Sequence, residues 1–598
     1  MRKTSNWSKK RALWVLVAAL GVLVCTGCDH GPTRIEFLDL LTTRSLEADG
    51  EPLQAMETFA ADETWVAVTL EPGVAVTAEL DLQSEPALTL AGCLVCADGK
   101  QPENGAILGG MIEAGDGRQI RFSIELDPAG GWWTREVDLA RAANRVARLQ
   151  IDPAMPEGCV VRLREATVSH HRTVSPPLPE PPKQVLLISV DTLRYDAIGA
   201  FGGTEATPNL DRFVAESESF SRHYAAASWT KPSHASLLTG FYPDTHRAIS
   251  LEQAMDPAIP TLAERFRDAG LETAALVFDC TWLSPRWGFS KGFDSYQVTR
   301  WRAGRQARMT ANWVLDRRDD GFFFFVHTFE PHSDFNLLPY EAPGLTRKVI
   351  AEQFGVHGFG CRSGRCASQF VNGLHHREVP FETSDPEILR HSYDEGVGYV
   401  DRSLGELFNT LRSDGVWDQM LVVVTSDHGE AFGERGEFGH NSLHEEIVRV
   451  PLIIKWPGGK SAGEVESSPR SAVDVAPTLL DFAGLGADEL PGEDLRTPRS
   501  EPAIFSGTLA RAVIVGDDKG IFSGKLQARI FHLGIDPGEV KDGTDTDPDR
   551  AGALRRLLQE HQKQSLVLFQ KYGSSRQTGE VVLSERERER LRAFGYLE

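Results

Sequence analysis

Between residues 34 and 169 apolar and polar positions alternate in short runs, WVAVTL, VAVTAELDL, ALTLAG, QIRFSIEL, REVDL, VARLQID and VVRLREATV, separated by Gly, Pro and Asp. A period of two is the mark of a strand with one buried face, and seven such segments with turn residues between them predict a β-sandwich. The stretch SPPLPEPPK that follows is a stiff proline-rich linker.

Beyond the linker the pattern changes. Continuous apolar runs too short for helices (VLLISV, AALVF, FFFFVHTF, LVVVTS, VPLIIKW) alternate with stretches at helical spacing (TPNLDRFVAES, SHASLL, TLAERFRDAG, HSYDEGVGYVDRSLGELFNTLR, VAPTLLDFAG). Fully buried strands alternating with helices predict an α/β domain with a mostly parallel central sheet and helices on both faces. Residues 346–380 break the pattern with Gly, Cys and the pair His375-His376. That segment reads as an insertion or lid beside the site, with the histidine pair in solvent. After Arg499, PAIFSG, RAVIVGDDKGIFSG and RIFHLGI predict a small antiparallel sheet, followed by a helix over 549–564. The chain therefore divides into a leader (1–27), a β-sandwich (28–174), a linker (175–183), the α/β domain (184–499) and a C-terminal subdomain with helices (500–598).

Two of the buried strands end in chemistry. VLLISVDT brings Asp191 to the carboxyl edge of the sheet, where open α/β folds bind ligands, and LVVVTSDHGE brings Asp427 and His428 there. Thr230 stands just before Pro232 and a helical run, near a helix N-terminus whose N–H groups favour an anion. Two carboxylates, an imidazole and a hydroxyl at one rim predict a divalent metal site with a nucleophile attached, the metal lowering the pKa of the hydroxyl. Zinc or manganese suits this donor set better than calcium or magnesium.

These residues resemble the sulfatase branch of the alkaline phosphatase superfamily. The likeness runs from about residue 183 to the C-terminus through TPNLDRF, EPH, SDHGE, FGHNSLHEEIVRVPLIIKWPG, FHLGIDPGE and LRAFGYLE, in the family's order. It implies an alkaline-phosphatase-like fold, metal ligands Asp191, Thr230, Asp427 and His428, and a catalytic Thr230. It also implies that His332 and His440 bind the anionic group or protonate the leaving oxygen. Second-metal ligands are not identified.

The departures are informative. Sulfatases carry a cysteine or serine, oxidised to formylglycine, and an arginine four residues on; here these positions are Thr230 and His234, and threonine cannot become formylglycine. Lys231 is the candidate for the missing positive charge, with His234 beside it in substrate binding. Paired aspartates begin many sulfatase sites, and here the second is Thr192. The chain is thus more similar to threonine-using phosphodiesterases, phosphoethanolamine transferases and lipoteichoic acid synthases. His327, on an aromatic strand, reads as a core histidine, and Glu330, Glu430 and Arg194 as supports for the ligands.

Composition adds location. Arg2, Lys3, Lys9, Lys10 and Arg11 precede an apolar core of thirteen residues, 12–24, and then Cys25-Thr26-Gly27-Cys28. Spanning a bilayer takes about 20 apolar residues, so this is a leader. Gly27-Cys28 resembles a bacterial lipoprotein cleavage site, with lipidation at Cys28. The expectation is an exported, membrane-anchored lipoprotein of a bacterial cell envelope; the alternatives are a periplasmic or secreted protein. The formal charge is −22, and loss of the leader's five positive charges makes it −27. That surface excludes nucleic acid as a partner. Export permits disulfides, which spacing places at Cys93 with Cys96 and Cys361 with Cys366, leaving Cys159 and Cys280 as buried thiols.

The reading that unites these features is a metal-dependent hydrolase or transferase that cleaves phosphate esters, diesters preferred, through a covalent Thr230 intermediate. Its substrate is an anionic ester, with an envelope lipid or glycan as candidate carrier. The alternatives are a sulfuric ester hydrolase without formylglycine, and a non-catalytic envelope protein binding a glycan or anionic polymer. The intact set of Asp191, Thr230, Asp427 and His428 argues against the last.

Overall fold

Apolar runs flanked by turn residues become the strands of one large sheet. The computed structural model describes, between residues 33 and 173, chiefly strands, and then residues 183–573 apart from 204–206, 488, 498–501, 508–509, 525–526 and most of 333–384. The leader with Cys28, most of the linker, the Cys361/Cys366 pair and most of the insertion lie outside the described residues.

From residue 183 onward, strands are numbered in chain order as β1 (Gln184–Val190), β2 (Glu218–Phe220), β3 (Glu272–Phe278), β4 (Ser295–Thr299), β5 (Phe322–Thr328), β6 (Leu421–Ser426), β7 (Leu452–Lys455) and β8 (Val465–Glu466). They form one eight-stranded sheet in the order β4-β3-β5-β1-β6-β7-β2-β8. The five strands from β4 to β6 run parallel, and β7 returns antiparallel to β6. This is the mostly parallel α/β sheet expected from the pattern.

The alternation within each strand divides its side chains between two cores. Val185, Leu187, Phe323, Phe325, Leu421 and Val423 enter one, and Leu186, Ile188, Phe322, Phe324, Val422 and Val424 the other. Helix α2 (Thr230–Thr239) packs on the first face through Ala235, Leu237 and Leu238. Helices α1 (Pro208–Ala215), α3 (Ala303–Leu315) and α4 (Asp385–Ser413) cover the second. Burying both faces is what permits strands as apolar as FFFFV.

The C-terminal subdomain is a four-stranded antiparallel sheet of β9 (Ala503–Ser506), β10 (Ala510–Val515), β11 (Asp518–Ser523) and β12 (Gln527–His532), with α5 (Pro548–Tyr572) after it. This helix runs to Tyr572, past the predicted end: Leu554 and Leu558 anchor its first half against Phe522 and Ile530, and Leu568 and Tyr572 pack its second half against the first core of the large sheet.

Toward the N-terminus, two six-stranded antiparallel sheets share one apolar core, with Leu88, Leu90 and Val161 from one meeting Leu108, Ile112 and Leu149 from the other. Face-to-face sheets sharing a core are a sandwich. One cysteine expectation fails here: Cys159 is disulfide-bonded rather than a free thiol. The strand register sets its backbone opposite that of Cys96. Cys280 is a free, buried thiol as expected. Among the described residues no helix is long and apolar enough to cross a membrane.

Candidate active site

Three adjacent parallel strands end at the same level, which builds the site's floor. Val190 of β1 pairs with Thr328 of β5 and with Ser426 of β6, so the residues that follow emerge side by side at the carboxyl edge. Asp191 follows β1, Asp427 and His428 follow β6, and α2 begins at Thr230 itself. The side chains of Asp191, Asp427 and His428 offer ligand atoms within 4.8 Å of one another, all buried. The Thr230 hydroxyl lies 3.4 Å from His428 Nε2.

Local hydrogen bonds fix the direction of each donor. His428 Nδ1 donates to Gly429 O at 3.0 Å, which leaves the Nε2 lone pair facing Asp427 Oδ2 at 3.3 Å and Asp191 Oδ1 at 3.7 Å. Asp427 Oδ1 accepts the N–H groups of Thr192 and His428 at 3.2 and 2.9 Å. Its Oδ2 accepts no hydrogen bond among the described residues. Burial pushes the His428 imidazole well below its ordinary value and the Asp427 carboxyl upward. Two buried carboxylates beside neutral imidazoles are an unfavourable arrangement that a divalent cation relieves. The donor set therefore fits a metal.

A second group stands beside the first. His440 Nδ1 donates to Glu430 Oε2 at 2.9 Å, and Glu430 Oε1 accepts from Tyr340 Oη at 2.6 Å. The His440 ring lies 4.4 Å from that of His428 and 5.5 Å from that of His332. His332 is stacked on Phe329 at 4.4 Å, and burial lowers its imidazole to about 3. Buried Arg194 donates to Glu430 O at 2.9 Å and pairs with Glu434 at 2.7 Å, tying the loop after Asp427 to the loop after Asp191.

Two residues expected to bind substrate stand elsewhere. Lys231 points away from the rim: its ammonium donates to Ser250 O at 2.6 Å, Gln253 O at 2.9 Å and Leu251 O at 3.3 Å, and lies 3.9 Å from the Trp287 ring. Burial lowers it to about 7, and it holds the loop at 250–253 rather than supplying charge to an anion. His234 is buried beneath Thr230. Its Nδ1 donates to Thr230 O at 2.9 Å and its Nε2 accepts from Ser189 Oγ at 3.0 Å, so both ring nitrogens are used inside the protein. A position four residues along a helix faces the preceding turn, which is why His234 serves Thr230 from below.

His327 is buried, as expected of a core histidine, but it does more than pack. Its Nε2 lies 3.2 Å from Asp191 Oδ2, at the site and not merely in the core. The available signal was its register, one residue before the end of a strand paired with the strand that delivers Asp191. His375, expected in solvent, is half-buried and accepts from Phe438 N at 3.4 Å; His376 lies outside the described residues.

A buried hydroxyl at a helix N-terminus thus stands among side chains that could hold a metal, at the carboxyl edge of an α/β sheet. Residues 183–485 match the family model described as Sulfatase, and the chain belongs to that family. It is a hydrolase of the sulfatase and alkaline phosphatase superfamily, whose members cleave sulfuric or phosphoric esters. The choline-sulfatase of Rhizobium meliloti is 39% identical over 401 residues, 56% of this chain and 76% of that protein. The multifunctional alkaline phosphatase superfamily protein PehA of Trinickia caryophylli is 26% identical over 383 residues, 50% of this chain and 74% of that one. In fold the chain is similar to the phosphonate monoester hydrolase of Agrobacterium radiobacter, with a TM-score of 0.52, 20% identity, and coverage of 64% of this chain and 96% of that structure.

Proposed function

We propose that this protein cleaves phosphate esters, diesters in preference, using Thr230 as the nucleophile. The observation that carries the reading is the Thr230 hydroxyl, 3.4 Å from His428 Nε2 and beside Asp191 and Asp427, in the place where sulfatases carry an oxidised cysteine or serine. Asp191, Asp427, His428 and Thr230 would hold one divalent ion, zinc or manganese by the nature of the donors. When bound, that ion supplies positive charge which makes the hydroxyl acidic and offsets charge on the ester.

The remaining chemistry belongs to the chain. Thr230 Oγ1 gives up its proton to solvent and bonds to phosphorus as the bond from phosphorus to the leaving oxygen breaks, and the α2 N-terminus favours the anionic phosphoryl group. His440, whose Nδ1 is held by Glu430, is the imidazole that donates the proton the departing oxygen needs, while His332, kept neutral by burial, binds the anionic group. Water or an acceptor alcohol then forms the new bond to phosphorus and releases Thr230, which separates hydrolase from transferase. His234 holds the Thr230 carbonyl and thereby the start of α2.

A sulfuric ester is the second reading, supported by the family match and by the choline-sulfatase relative. The two differ at one atom. Formylglycine carries a second hydroxyl that expels sulfate from the covalent ester, whereas threonine has a single hydroxyl, and a threonine sulfate requires direct attack at sulfur. We therefore expect kcat/KM for an aryl phosphodiester to exceed that for an aryl sulfate by at least about 100-fold, a barrier difference of about 2.7 kcal/mol. A faster aryl sulfate on the same preparation makes the protein a sulfatase instead. Export and lipidation at Cys28, with an envelope lipid or glycan carrying the ester, belong to the same proposal and rest on the leader sequence.

A further inference from the structure

Alternation along β1 and β5 puts Ser189, Asp191 and His327 on the same face as Leu187 and Phe325, the face on which α2 packs. There the His327 ring meets the His234 ring edge-on, with centroids 4.9 Å apart at 90°, while His234 in turn lies against Phe325 at 6.0 Å. His327 is fully buried in this frame, and its Nε2 reaches Asp191 Oδ2 at 3.2 Å. The other oxygen, Asp191 Oδ1, faces His428 Nε2 at 3.7 Å.

The same division of labour recurs at Asp427. There Oδ1 is taken by the N–H groups of Thr192 and His428, and Oδ2 faces the His428 ring at 3.3 Å. Thr192 makes this possible from a left-handed conformation, φ +55°, with its hydroxyl turned back to Asp191 O at 2.8 Å. For a β-branched residue that conformation is strained, and it takes the Thr192 side chain out of the donor set.

We infer that His327 is a positioning residue which occupies Asp191 Oδ2, so that each carboxylate presents a single oxygen and the site offers few donors in all. The inference rests on the metal reading proposed above. Few donors, one of them an imidazole, suit zinc, whereas calcium takes about six to eight oxygens and accepts both oxygens of a carboxylate. Freeing Oδ2 loosens Asp191 and lets it act through both oxygens, which removes affinity for the first ion more than for the second.

The test is isothermal titration of metal-free protein with Zn²⁺ alone and with Ca²⁺ alone. For His327→Phe, which keeps the bulk and loses the donor, the zinc Kd is expected to rise by about 10- to 100-fold with the calcium Kd unchanged or lower. His327→Gln, whose amide can donate to the same oxygen, is expected to regain most of the zinc affinity. If the phenylalanine variant does not fold, His327→Asn, whose amide falls short of Asp191, carries the same expectation. An unchanged ratio of zinc to calcium affinity in the Phe or Asn variant overturns the inference, as does a Gln variant no better than Phe. Asp191→Asn is the separate control: if wild type binds zinc no better than this variant, it is the metal reading itself that fails.

Discussion

Removing one charge from the buried network around Glu539 tests how the C-terminal subdomain is fastened to the α/β domain. Lys519, on β11, places its ammonium 2.8 Å from Glu539 Oε1 and 3.0 Å from Glu445 Oε1, with the Lys519 and Glu539 side chains 0% exposed. Glu539 Oε2 lies 3.0 Å from His444 Nδ1 and accepts Glu445 N at 2.7 Å. Residues 444 and 445 follow His440 on the segment that lines the site. In Glu539→Gln the shape is kept while Lys519 loses one of two carboxylates. Breaking a buried ion pair from one side costs about 3–5 kcal/mol, and because Glu445 remains the lower end applies, about 3 kcal/mol. Unfolding entropy of about 2.1 cal/mol/K per residue over the roughly 390 residues from 183 to 573 gives about 0.8 kcal/mol/K, so Tm should fall by about 4 °C.

The pH dependence gives the experiment its sign. Burial by itself would raise the Glu539 carboxyl, but the attraction of Lys519 and the hydrogen bond from His444 outweigh it and hold the group well below its ordinary 4.5. A depressed folded-state pKa means that the stabilisation is fully present above the unfolded value and is lost as pH falls through the folded one. The gap in Tm between wild type and Glu539→Gln should therefore be equal at pH 7 and pH 5 and smaller at pH 3.5. Adding Lys519→Met to the variant should recover part of the loss, since the stranded ammonium is gone. Thermal melts within 1 °C of wild type at pH 7, or a gap that does not shrink between pH 5 and 3.5, refute the reasoning.

Thr230→Ala should lower kcat by at least about 10³-fold, about 4 kcal/mol, at an unchanged Tm, while Thr230→Ser retains part of the rate; an alanine variant at the wild-type rate shows that water attacks the ester directly. Chelation should abolish turnover and lower Tm by about 3 °C relative to protein held at 100 times the metal Kd, about 2.7 kcal/mol of linkage, with zinc or manganese restoring both; full activity in excess chelator contradicts the site. Gly429→Ala should cripple metal binding, because a Cβ there lies 2.1 Å from Glu446 O and 3.2 Å from Arg194 Cγ, and the backbone carbonyl forces the His428 loop to move. A zinc Kd and kcat equal to wild type in that variant rule out a rigid loop.

The class of fold was open to reading because it rests on local pattern. VLLISV, FFFFVHT and LVVVTS are too apolar for strands with a wet face and too short for helices, so they had to be central strands of a covered sheet, and β1, β5 and β6 are. The meeting of Asp191, Thr230, Asp427 and His428 follows from the same logic, since parallel strands ending together deliver their next residues to one edge. Lys231 was misread for a related reason. Adjacency to Thr230 in sequence says nothing of direction, and at a helix start consecutive side chains diverge by about 100°, which sent the ammonium to the carbonyls of 250–253.

The strands, and the shared rim to which they bring Asp191, Asp427 and His428, were legible in the sequence, because hydrophobic period and strand ends are properties of a few consecutive residues. It took the tertiary structure to show which oxygen of Asp191 is occupied by His327, that His234 Nε2 meets Ser189 beneath Thr230, and that Cys159 is disulfide-bonded. The two histidine contacts join residues 45 and 136 positions apart and are set by register and packing of elements on one another. A single-residue slip in register would reverse every one of them without changing the pattern from which the strands were read.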